Sequence, residues 1–88
     1  MKFIYKILSK ISGNIFLLAC GNTIYVFKKS ETLEICNEYG YSGTNYLVDI
    51  HFSNAKNWSG GCLITENESA IIKRKVADIF KNYTITWL

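Results

Sequence analysis

At 88 residues, 49% of them hydrophobic and 19% charged, the chain has material for one buried core and too little for two, and its apolar content excludes a disordered polyelectrolyte. The net charge of +3 is a sum of unlike parts. Six of the seven acidic residues, Glu31, Glu34, Glu38, Asp49, Glu66 and Glu68, stand in the middle with Lys56 alone among them; Lys2, Lys6, Lys10, Lys28 and Lys29 precede them and Lys73, Arg74, Lys75 and Lys81 follow. Such segregation carries information about a charged partner. The three cysteines, Cys20, Cys36 and Cys62, are odd in number and widely spaced, which argues against a complete disulfide framework or a zinc ribbon and fits reduced thiols in the cytosol.

Residues 1–20 admit two readings. In one, Lys2 to Lys10 is a basic leader, Ile11 to Ala19 an apolar stretch, and Leu17-Leu18-Ala19-Cys20 a lipobox-like tetrad, so that the chain becomes a small membrane-anchored lipoprotein processed at Cys20. That stretch has only nine residues and is interrupted by Ser12, Gly13 and Asn14. In the other reading, Phe3, Ile4, Ile7, Leu8 and Ile11 recur at helical spacing with Lys2, Lys6 and Lys10 opposite them, Gly13-Asn14 ends the helix, and Ile15 to Ala19 is a buried strand. The second reading accounts for the Gly-Asn interruption and predicts an N-terminal helix followed by a strand.

Gly21-Asn22 between two apolar runs predicts a two-residue hairpin joining Ile15–Cys20 to Thr23–Lys28. A turn at Lys29-Ser30-Glu31 leads to a strand over Thr32–Asn37, with Leu33 and Ile35 inward and Thr32, Glu34 and Cys36 outward. Glu38 to Gly43, rich in Gly and Tyr, reads as a loop. Tyr46, Val48, Ile50 and Phe52 then alternate with Leu47, Asp49 and His51, predicting a half-buried strand. Ser53 to Gly61 is a loop carrying Trp58. Thr65 with Glu68 three residues later forms a capping-box pattern, and Ile72, Val76, Ile79, Phe80 and Tyr83 give a helical stripe, so a helix runs from Glu66 to about Asn82 before a last strand at Thr84–Leu88. The predicted fold is α+β: a mainly antiparallel sheet of about five strands with an N-terminal and a C-terminal helix packed on it, in the order α-β-β-β-β-α-β within a single domain.

Catalytic chemistry is poorly represented. Asp49 and His51 share a strand face, and Cys36 or Cys62 with the flexible Ser59-Gly60-Gly61 could supply a nucleophile and an oxyanion loop, yet neither cysteine sits in a signature of a thiol enzyme. The chain is read as a binding protein and not an enzyme, with no cofactor, metal or small-molecule substrate. Gly40 and Gly43 lack the Lys-Ser/Thr of a phosphate loop, and Lys73-Arg74-Lys75 on a helix fans around its circumference, which fits a solvated face better than a nucleic-acid site. No run reaches the roughly 18 apolar residues of a membrane span.

The second half of the chain resembles a known family. The strand at Tyr46–Phe52, the polar step to Asn57-Trp58, the loop, Leu63-Ile64-Thr65-Glu66 opening an amphipathic helix, and the final short strand are similar in order and pattern to small immunity proteins of bacterial polymorphic-toxin and contact-dependent growth inhibition systems. The resemblance spans residues 46–88, and the chain departs from the pattern in lacking prolines after Trp58 and in its predicted N-terminal helix. It implies a cytoplasmic protein that neutralises a cognate toxin domain, a nuclease with a basic cleft being the partner that an acidic surface would suit. That surface is expected to comprise Glu31, Glu34, Glu38, Tyr39, Tyr41, Asp49 and His51, with Trp58 either an anchor at its edge or a lid on the core.

Overall fold

The computed structural model describes residues 14–88. Five strands, β1 (Ile15–Cys20), β2 (Thr23–Lys28), β3 (Glu31–Ser42), β4 (Asn45–His51) and β5 (Thr84–Trp87), form one sheet in sequential order, and one helix, α1 (Glu66–Ile79), connects β4 to β5. The first four strands are antiparallel and β4 pairs with β5 in parallel, so the sheet is mixed. A parallel pair cannot be closed by a tight turn, and the segment from 52 to 83 supplies the required crossover. The α+β class and five strands agree with the sequence reading. The predicted N-terminal helix falls on residues outside the described ones.

Both first turns are two-residue connections. Gly21 takes a left-handed φ of 60° and Lys29 one of 55°, and the register Cys20↔Thr23 and Lys28↔Glu31 follows directly. The third connection corrects the expected loop. β3 continues unbroken through Glu38, Tyr39, Gly40 and Tyr41 to Ser42, and the chain reverses at Gly43-Thr44 with Gly43 at φ 63°. The alternation that marks β3 does persist through this stretch, since Tyr39 and Tyr41 share a face and Glu38 and Gly40 the other. The composition of Gly and Tyr masked it, while five cross-strand pairs with β4, from Glu38↔Asp49 to Ser42↔Asn45, hold it extended.

Helix α1 begins as its capping box dictates. The Thr65 hydroxyl accepts the Glu68 amide at 3.1 Å, and the Glu68 carboxylate accepts the Thr65 amide at 3.0 Å. It ends three residues before the predicted Asn82, because Phe80 leaves helical geometry at φ −103°, ψ 36°, and the Tyr83 amide turns back to the Phe80 carbonyl at 2.9 Å.

One face of the sheet, here called the inner face, carries α1. Ile24, Val26, Ile35, Val48 and Ile50 meet Ile72 and Val76 of the helix, all at 0 or 1% exposure, with Ala55, Trp58 and Phe80 closing the ends. Burial of this stripe is the main stabilising contribution, at roughly 25 cal/mol per Å² of apolar surface. The outer face carries the alternate residues: Phe16, Leu18, Tyr25 and Phe27 at the β1–β2 side, and Glu34, Cys36, Glu38, Asp49 and His51 toward β4.

Candidate functional site: the acidic outer face of β3 and β4

Period-two alternation distributes the expected binding residues. Glu34, Glu38, Asp49 and His51 fall together on the outer face, because each is separated by an even number of residues from its strand neighbour and the β3–β4 register places Glu38 opposite Asp49 and Cys36 opposite His51. Glu34 lies across from Tyr25 of β2. Two carboxylates thus stand directly opposite each other on neighbouring strands, an arrangement that is destabilising by itself. His51 offsets part of it: its Nε2 lies 2.8 Å from Glu38 Oε1, with the His51 side chain 30% exposed and that of Glu38 67%. The imidazole therefore engages Glu38 and leaves Asp49 facing its like-charged neighbour.

Tyr39 and Tyr41 lie on the opposite, inner face, beyond the C-terminal end of α1. Tyr39 packs against Phe80 and Tyr83 at ring separations of 6.0 and 5.9 Å, its hydroxyl donates to the Gly21 carbonyl at 3.1 Å, and Tyr46 meets Tyr83 at 5.7 Å. Tyr41 is 77% exposed. The acidic and aromatic halves of the expected surface are consequently two sides of one hairpin.

Two other expected contributors sit elsewhere. Trp58 is 3% exposed, and its indole N–H donates to Glu68 Oε1 at 3.2 Å, so of the two roles considered it takes the lid on the core. Glu31 lies at the far end of β3, where its carboxylate approaches Gly60 so closely that a Cβ there would collide with it. Sequence reasoning missed Glu68 as a structural centre. Burial pulls its carboxyl up, but hydrogen bonds from Lys28, the Thr65 amide and Trp58, together with the Lys28 charge, outweigh that and hold it at about 2. The Glu at the third helical position of the capping box was legible; its meeting with Lys28 was not.

The Trp58, Ser59 and Gly61 amides donate to the Cys62, Thr32 and Trp58 carbonyls at 2.8, 2.9 and 2.8 Å, so three N–H groups of the glycine loop are spent within the backbone. His51 is oriented by Glu38 and not by Asp49. Among the described residues no group of three or more His, Cys, Asp or Glu side chains is placed to hold a metal ion, and no helix is long and apolar enough to cross a membrane. The basic triplet divides, with Lys73 over the Phe52 and Trp87 rings at 5.1 and 5.5 Å while Arg74 and Lys75 border a groove beside Ile15 and Phe16.

Cys20 is the last residue of β1. Cleavage before it, as a lipoprotein requires, would remove Ile15 to Ala19 and with them the strand paired to β2 and the buried side chain of Ile15.

In comparisons with known protein families, curated proteins and solved structures, the chain matches none.

Proposed function

We propose that the chain is a non-catalytic immunity protein, which binds a cognate toxin domain in the cytoplasm and blocks it through the outer face of β3 and β4. The observation that carries this reading is the direct opposition of Glu38 and Asp49 on an accessible sheet face, with Glu34 on the same face and His51 on Glu38. A like-charged pair in that position weakens the free protein and is relieved when a cation arrives, so it favours a complex with a basic surface over the unbound state. The resemblance of residues 46–88 to immunity proteins supplies the class of partner, and a nuclease domain with a basic substrate cleft is the member of that class whose charge fits. Tyr41 and Tyr46 on the reverse of the hairpin, 77 and 59% exposed, add contact area of the amphipathic kind enriched at interfaces.

Association kinetics with the toxin domain test the assignment. Reversing Glu34 and Glu38 to Lys removes the attraction that steers encounter, so the association rate falls by at least an order of magnitude at low salt and its residual salt dependence flattens. Both substituted side chains are exposed, and the fold stays intact. Association kinetics identical to those of the unaltered chain would refute this face as the interface.

A further inference from the structure

The sequence sets Lys73, Arg74 and Lys75 side by side, and the fold separates them. Lys73 lies over the Phe52 and Trp87 rings, while Arg74 and Lys75 turn to the other flank of α1 and border a groove against β1. Asn67, Ile71, Arg74 and Lys75 follow one another at helical spacing along that flank, and Ile15 and Lys28 face them from the sheet. The groove has a volume of about 430 Å³, in the range of pockets that take small molecules. Charge within it is one-sided. Glu68 is the one carboxylate that lines it, and both its oxygens are engaged, Oε2 by Lys28 and Oε1 by the Trp58 indole and the Thr65 amide. Neither Arg74 nor Lys75 forms an ion pair among the described residues, and residues 1–13 contain no Asp or Glu that could supply one. Asp78, one turn further along α1, is exposed and does not line the groove. Two positive charges therefore remain at the rim of a groove whose own carboxylate is already neutralised.

We infer that this groove binds a small, soluble phosphate monoester carrying an apolar or aromatic body. At neutral pH such an ester is mostly a dianion, its second pKa being about 6, which matches the two unpaired cations. The planar Arg74 guanidinium engages two phosphate oxygens at once, Lys75 adds a point charge, and the Asn67 amide is a further donor on the same flank. Ile15 and Ile71 present apolar surface to the body of the ligand, so the ester gains contacts that inorganic phosphate lacks. The groove lies on the helix-bearing side of the sheet, away from Glu34, Glu38, Asp49 and His51, and its occupancy is independent of the proposed toxin interface.

Titration of the full chain with 1-naphthyl phosphate, followed by backbone and side-chain chemical shifts, tests the site. Saturable shifts concentrated at Asn67, Ile71, Arg74 and Lys75 are expected, with a dissociation constant about tenfold or more below that for inorganic phosphate and no saturable shift for 1-naphthol. The double variant Arg74→Gln, Lys75→Gln should weaken binding by about tenfold or more, whereas Lys73→Gln with Lys81→Gln, which removes the same charge elsewhere, should leave it within about twofold. Arg74 is exposed and Lys75 half-buried, and the spectrum of each variant reports whether the fold is kept. An Arg74, Lys75 variant that binds as the unaltered chain does, shifts spread over Lys56 and Lys81, or a naphthyl ester no tighter than inorganic phosphate would overturn the site. Saturation only by phosphatidic-acid vesicles or by a single-stranded oligonucleotide would overturn it as well, by assigning these cations to a membrane surface or to nucleic acid.

Discussion

Lys28 at the end of β2 and Glu68 in the first turn of α1, forty residues apart in sequence, are joined by an ion pair at the rim of the core, where Glu68 also receives the Trp58 indole N–H and the Thr65 amide. One carboxylate thus fastens a strand, a loop and a helix start. Its pKa is lowered from 4.5 to about 2, so the folded state binds this proton less readily than the unfolded state does. The corresponding stability is fully present above pH 4.5 and is lost as the pH falls through the range down to about 2. Urea unfolding midpoints should decline over that interval by the equivalent of about 1 to 2 kcal/mol from this group, solvent screening at the rim of the core reducing the full linkage. Glu68→Gln should lower stability at neutral pH by a similar amount and remove that part of the acid slope; an unaltered slope in the variant would contradict the assignment.

Thr65 is exposed and its hydroxyl accepts the Glu68 amide, so its contribution is the cap. Thr65→Ala should cost about 1 kcal/mol in thermal or chemical unfolding, and Thr65→Ser, which keeps the hydroxyl, should cost much less. Equal losses in the two variants would show that the methyl group and not the hydrogen bond matters.

Asn37 sits at 1% exposure opposite Ile50 in the middle of the inner face, and neither Nδ2 nor Oδ1 has a hydrogen-bond partner among the described residues. Its backbone amide is satisfied by the Asn22 carbonyl at 2.9 Å. Replacing the amide side chain by an apolar one of similar volume therefore removes an uncompensated burial cost: Asn37→Leu should raise stability by about 1 kcal/mol. A lower unfolding midpoint would instead mean that the amide serves the native fold.

Under the proposed function, Asp49 links stability to binding with opposite signs. Asp49→Asn relieves its opposition to Glu38 and should raise the stability of the free protein by about 0.5 kcal/mol, while slowing association with the toxin domain. Paired unfolding and surface-plasmon measurements on the same variant check both signs. A variant that is less stable and binds equally fast would remove the like-charge pair from the account.

The strands were legible where alternation and turn chemistry agreed. Gly21-Asn22 set one hairpin to the residue, and Val48 and Ile50 were assigned to the core by their spacing from Asp49 and His51. Residues 38–41 were misread because Gly and Tyr signal a loop by composition, whereas their periodicity and their pairing with β4 keep them extended. The same misreading placed Tyr39 and Tyr41 beside Glu38 on one surface; once they belong to a strand, odd and even positions must part to opposite faces. Trp58 and Glu68 illustrate a different gap. Their hydrogen bond depends on how the loop folds back over the sheet, and no local pattern in the sequence encodes it. The parallel pairing of β5 with β4 likewise follows from the crossover through α1.

Native mass spectrometry of the chain co-expressed with the gene next to its own tests the proposed immunity function most directly. The account predicts a one-to-one complex with the toxin domain in the soluble fraction, in which the chain retains the residues before Cys20. A chain that never associates with that domain, or one found lipidated and beginning at Cys20, would contradict it.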